Sequence, residues 1–136
     1  MRGRIDYVEW ITRDMLRAEP EARFVFGDNA QRKGLGGQAK AMRGEANAIG
    51  IATKWAPSMR EPSFFSDTER AGAAKEIVAA DLVKVQEALA EGRTIYVPKD
   101  GLGTGLSQLP ARAPGIYRMI RDFFEREGGP CPWPAA

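Results

Sequence analysis

Two short apolar runs, each ending in a glycine-rich loop, limit what this chain can fold into. The first is Phe24-Val25-Phe26-Gly27-Asp28-Asn29, followed by Gly34-Leu35-Gly36-Gly37. The second is Thr94-Ile95-Tyr96-Val97-Pro98-Lys99-Asp100, followed by Gly101-Leu102-Gly103-Thr104-Gly105. Glycine lets a backbone turn sharply and approach a ligand with no Cβ in the way. A strand that leaves through such a loop into a helix aims N–H groups at one point, which suits a phosphate. Two such loops in one small domain predict a shared pocket for a nucleotide or a related diphosphate. The other reading is that both are tight connections in a small α/β fold.

The pattern between the loops alternates strands with helices. Residues 1–11 read as an edge strand or an irregular arm. Thr12 is an N-cap for a short helix that stops before Pro20. Arg23 to Gly27 is a strand, Gln38 to Met42 is helical, and Ala48 to Thr53 is a second strand. Residues 55–65 form a long connection of the kind that often serves function. Ser66-Asp67-Thr68-Glu69 has the spacing of a capping box. It is expected to open the longest helix, which runs to about Glu91 with its charged residues solvated, and Gly92 takes the C′ position. Arg93 to Pro98 is a strand. A final helix with Ile116, Ile120, Phe123 and Phe124 on one face ends at Gly128-Gly129, and residues 129–136 are expected to be a mobile Pro-rich tail. The order predicts one layered α/β domain over residues 12–128, whose ligands bind at the carboxyl ends of strands.

Composition narrows the chemistry. With 43% hydrophobic and 28% charged residues among 136, the chain reads as one globular, non-membrane domain. The N-terminus has no apolar signal-peptide core, so a cytoplasmic protein is expected. There is no histidine. That removes the Ser-His-Asp triad, an imidazole-activated thiol and the common zinc sites. Cys131 is the only cysteine, so no intrachain disulfide can form. No cofactor and no metal are called for. Net charge is only +2, too small to argue for nucleic acid. Residues 31–60, however, hold Arg32, Lys33, Lys40, Arg43, Lys54 and Arg60 against Glu45 alone, which favours an anionic ligand.

Specific roles follow from position. Asp28 and Asn29 leave the first strand where they can hold ribose or base. Gly34, Gly36 and Gly37, with Gln38, offer the first phosphate grip, and Gly101, Leu102, Gly103, Thr104 and Gly105 the second. Replacing Gly103 by valine is expected to abolish binding and leave the fold intact. Arg43 or Lys54 is placed to offset phosphate charge, and Asn47 belongs to a polar cluster over 42–47. Asp28, Glu45 and Asp100 are the carboxylates available for acid/base work. Neither a Walker motif nor G-x-G-x-x-G is present, which argues against P-loop NTPases and Rossmann dehydrogenases.

The run Val25-Phe26-Gly27-Asp28-Asn29, Gly36-Gly37-Gln38-Ala39, Met42-Arg43-Gly44-Glu45, Asn47-Ala48, Gly50-Ile51, Thr53-Lys54 and Asp100 to Leu106 resembles a family of uncharacterised bacterial and phage proteins. More distantly, Asn29, Gly36-Gly37 and Gly101–Gly105 resemble the ligand loops of macro domains, which bind and sometimes hydrolyse ADP-ribose linkages. The chain departs from macro domains in lacking their Asn-Ala-Ala-Asn run. The resemblance implies a single three-layer, macro-like α/β domain whose central sheet is mixed or mostly parallel and flanked by helices. It implies binding of ADP-ribose or a related nucleotide, with hydrolysis of a ribose-linked bond as the enzymatic version. A non-catalytic module that sequesters a nucleotide signal or binds a host protein is the alternative. If the loops are only structural, Trp10, Trp55, Phe64, Phe65 and Trp133 are the residues for an exposed protein-binding patch.

Overall fold

The computed structural model describes residues 1–135. Four strands, β1 (Arg4–Val8), β2 (Arg23–Asp28), β3 (Ala48–Ala52) and β4 (Thr94–Pro98), form one sheet in the order β1-β4-β2-β3, and every pairing is parallel. Five helices connect or follow them: α1 (Arg13–Ala18), α2 (Ala39–Met42), α3 (Ala71–Ala90), α4 (Leu109–Arg112) and α5 (Pro114–Gly128). The N-terminal segment is thus an edge strand paired with β4. Among the described residues no helix is long and apolar enough to cross a membrane.

The three layers follow from side-chain alternation along the strands. Phe24 and Phe26 point to one face, where they meet Leu16, Ala39 and Met42 from α1 and α2. Val25, Ile49, Ile51, Ile95 and Val97 join the opposite core, built with α3 and α5. An apolar run buried on both faces is the mark of a parallel strand. Chain direction sets which helix covers which face. From β1 to β2 to β3 the chain steps one way across the sheet, then returns from β3 to β4 the other way. Parallel crossovers are right-handed, so reversing the step moves the connecting helix to the other face. The neighbours β2 and β4 therefore send their outgoing chains to opposite faces, and a crevice opens at their carboxyl ends.

Three local expectations are corrected. The capping box at 66–69 does not open α3: the helix starts at Ala71, with Arg70 as N-cap in a left-handed conformation (φ 57°). Asp67 instead accepts from the Gly115 N–H at 2.7 Å and the Ile116 N–H at 3.1 Å, capping α5, whose own N-cap residue provides no side-chain bond. The charged residues of α3 are not all solvated: Asp81 is 1% exposed. It accepts from the Ala52 N–H at 2.8 Å, on the outer edge of β3, and from Arg32 through both oxygens. Residues 129–135, expected to trail, pack against the body. Trp133 is 2% exposed and donates through Nε1 to the Pro98 carbonyl at 2.9 Å. Arg121 holds the Cys131 and Trp133 carbonyls, and the Tyr117 hydroxyl donates to that of Pro134. The buried Trp133 ring and Cys131, not the prolines, decide the placement.

Packing also removes the exposed aromatic patch. Phe64, Phe65 and Trp133 are buried, and Trp55 stacks edge-on against Phe65 at 4.9 Å. Of that set only Trp10 stands in solvent, 77% exposed. Trp133→Ala is expected to destabilise the domain by about 3–5 kcal/mol, the usual cost of emptying an aromatic core site. Urea unfolding measures it, and a change within a few tenths of a kcal/mol would show the tail to be unattached.

Candidate functional site

A cavity of about 280 Å³ lies at the carboxyl ends of β2, β3 and β4, in the crevice described above. Three segments enclose it: 27–39 with Arg43, the start of the connection after β3 (Thr53, Lys54, Pro57, Met59), and 103–107.

The first loop is organised from inside. Asp28 ends β2 with its carboxylate buried. It accepts from Arg43 through both oxygens, from the Asn29 N–H at 2.8 Å, and lies 3.6 Å from an Arg32 nitrogen. Arg43 also donates to the Gly34 carbonyl at 2.6 Å and the Lys33 carbonyl at 3.1 Å. Asn29 folds the loop around its amide: Nδ2 donates to the Lys33 carbonyl and Oδ1 accepts from the Gln31 N–H. Gln38 ties this loop to the other one. Its Oε1 accepts from the Gly27 N–H at 2.7 Å and its Nε2 donates to the Gly101 carbonyl at 3.0 Å. These four side chains line the cavity, but their polar groups are largely committed to building it.

What remains for a ligand is backbone. Among the described residues, the N–H groups of Gly34–Gln38 and of Gly103–Ser107 donate to no protein acceptor. The second loop is pinned below by the Leu109 N–H, which donates to the Gly103 carbonyl at 2.8 Å, and by Leu102, which is fully buried. Gly103 has φ 74°, and a Cβ there would sit 2.9 Å from Leu109 Cβ and 3.0 Å from Thr53 Cβ. Its role is to let the loop lie on the core, so the expectation that Gly103→Val leaves the fold intact is corrected. At Gly105 a Cβ meets nothing within 4 Å.

The floor carries two hydroxyls that the sequence reading passed over. Thr53 Oγ1 donates to the Asp28 carbonyl at 3.0 Å and lies 2.7 Å from Ser107 Oγ. Thr53 continues β3 as Asn29 continues β2, so its place at a strand end was the available signal. Ser107, at the end of the second loop, gave none.

Lys54 is the exception among the charged groups. It is 6% exposed and lines the cavity, yet among the described residues no carboxylate lies within ion-pair distance. Its Nζ rests 3.6 Å from Met59 Sδ and 4.5 Å from the Phe64 ring centre. Burial first, and the Arg112 charge second, hold its ammonium below the ordinary lysine range.

Other sequence-predicted residues lie elsewhere. Glu45 pairs with Arg13 at 2.8 Å and Arg17 at 3.3 Å beside α1; their hydrogen bonds, Arg17's first, keep its carboxyl below the usual glutamate range. Asn47 caps the end of α1, donating to the Leu16 and Glu19 carbonyls. Asp100 is exposed outside the cavity, and its carbonyl accepts from Thr104 Oγ1 at 2.9 Å. Leu102 is core and Gly101 meets the cavity only through Gln38. The three carboxylates considered for acid/base work therefore do not converge. Asp28 alone is at the cavity, and its oxygens are taken.

Fold and site together define an open, all-parallel α/β protein with a loop-built cavity at its topological switch point. The chain belongs to a family of unknown function, DUF7831, which matches residues 6–123. No curated protein and no solved structure gives a significant match.

The two glycines of the second loop separate support from ligand contact. Gly103→Val is expected to lose at least about 1–3 kcal/mol through overpacking, whereas Gly105→Val stays within about 0.5 kcal/mol of the parent. Thermal or urea unfolding of the two variants checks the difference.

Proposed function

We propose that this protein binds a phosphorylated ligand of the nucleotide class, ADP-ribose or a close relative, with the phosphates on the two glycine-rich loops. The observation that carries this reading is the pair of N–H rows, Gly34–Gln38 and Gly103–Ser107, which have no acceptor among the described residues and belong to residues that line one cavity. Backbone N–H groups gathered in a concave loop favour an anion. The electrostatics agree: Lys33, Arg43 and Lys54 line the cavity against Asp28 alone, whose charge two arginines already answer. Among the described residues, a phosphate entering there meets no free carboxylate.

Size and rim support a nucleotide with part of its bulk outside. The cavity of about 280 Å³ is near the lower end of small-molecule sites, which span about 300–1,000 Å³. Leu35, Met59 and Leu106 stand exposed around its mouth and offer apolar contact to a sugar or base. The likeness of the loops to those of macro domains is what selects ADP-ribose within this class. Binding without turnover fits the site better than hydrolysis, because Asp28 is saturated and Glu45 and Asp100 are outside the cavity.

A thermal-shift series with ADP-ribose, NAD, cyclic dinucleotides, simple nucleotides and pyrophosphate tests the reading. A ligand at a hundredfold excess over Kd adds about 2.7 kcal/mol to stability. The shift should appear with the parent and vanish in Gly105→Val, whose side chain stands where the phosphate would approach. A flat response across the series at millimolar concentration would overturn it.

A further inference from the structure

Lys54 has more chemistry than charge neutralisation requires. A lysine buried at a ligand cavity is normally answered by a carboxylate, because an isolated ammonium is costly to desolvate. Here the partners of Nζ are a thioether sulfur at 3.6 Å and an aromatic face at 4.5 Å. Sulfur is a weak acceptor and the ring binds only the charged form. The same Phe64 ring carries the Arg112 guanidinium at 3.7 Å, a second cation on one side chain. Arg112 is itself held by Glu61 at 2.7 Å, so that carboxylate is engaged away from Lys54. The other ionisable groups lining the cavity are Asp28, spent on arginines, Lys33 and Arg43. Burial and the Arg112 charge shift Lys54 toward the neutral amine, the nucleophilic form of lysine, and the ring face is the one contact here that favours the cation.

We propose that Lys54 forms an imine with a carbonyl group of a phosphorylated ligand, such as the open-chain aldehyde of a sugar phosphate, held in this cavity. The proposal rests on the phosphate-binding reading given above. The nitrogen lone pair adds to the carbonyl carbon and one proton moves from nitrogen to oxygen. The hydroxyl of that adduct then leaves as water, taking a proton from solvent, and the double bond to nitrogen forms. Nothing is oxidised or reduced. The product is a cationic imine, so the positive charge is restored at the moment an anionic phosphate is present to answer it. The hydroxyls of Thr53 and Ser107 line the same floor and leave oxygen lone pairs available to a proton in transit.

Pyridoxal 5′-phosphate, which joins an aldehyde to a phosphate, is the probe. The full chain is incubated with it, reduced with borohydride, digested and mapped by mass spectrometry. Lys54 is expected to carry about tenfold more label than any of Lys33, Lys40, Lys75, Lys84 or Lys99, since its amine alone is desolvated. Pyridoxal without the phosphate should label it far less, and pyrophosphate should protect it. Lys54→Arg should lose this label and remain folded. If pyrophosphate raises the melting temperature but Lys54 stays unlabelled, the imine is wrong and the phosphate site stands. If Lys54 reacts equally with pyridoxal and pyrophosphate gives no protection, the phosphorylated-ligand proposal and the phosphate reading both fall.

Discussion

The buried carboxylate of Asp28 is the point from which the cavity is assembled. It sits where β2 ends, so its position is fixed by the sheet, and it holds Arg43 and Arg32 on two sides. Arg43 passes that position on to the Lys33 and Gly34 carbonyls, and Arg32 passes it to Asp81 on α3. An extended polar loop thereby becomes a wall with one shape. A charge buried this way is tolerable only while its partners stay. Removing one partner of such a pair typically costs about 3–5 kcal/mol, more than the pair contributes over an apolar substitute. The arrangement thus buys definition of the loop more than stability.

The second requirement is that the two loops keep a fixed separation. Gln38 meets it by bonding to Gly27 on one side and Gly101 on the other. An amide can do this because it presents an acceptor and a donor from one rigid plane. The reversal of strand order places β2 and β4 side by side, so the span to be bridged is one strand spacing. Sheet topology, a single glutamine and a saturated aspartate together account for a cavity lined by unpaired N–H groups.

Much of the fold was legible because it rests on local signals. Apolar runs marked β2, β3 and β4, Thr12 marked the start of α1, and Gly92 marked the end of α3. The location of the cavity followed from the two glycine loops at strand ends. Long-range pairing was not legible. Asp67 has the spacing of a cap for the helix after it, yet a distant helix with no cap of its own competes for its oxygens. Asp81 reads as one more surface acid of α3 until the edge of β3 is placed against it. Glu45 and Asn47 sit in a polar run beside the first loop, but α1 packs there and claims both. Trp133 lies among prolines and glycines, and only the three-dimensional gap beside Pro98 shows why it is buried. Lys54 was visible as a cation at a strand end. That no carboxylate among the described residues pairs with it is a property of the packed structure alone.

The anchoring of Trp133 has a consequence for how the molecule comes into being. Its ring lies against the start of the second loop, where a Cβ on Gly101 would be 3.5 Å from Cγ. Strands β1 to β4 and both glycine loops are all synthesised before this residue. During translation, which delivers N-terminal structure first, the sheet can therefore form while the Gly101 loop still lacks its backing. The Gly101 loop gains this backing only once Trp133 docks, so a chain cut between α5 and Trp133 would keep the elements that form the cavity walls but lose the ring that supports one of them.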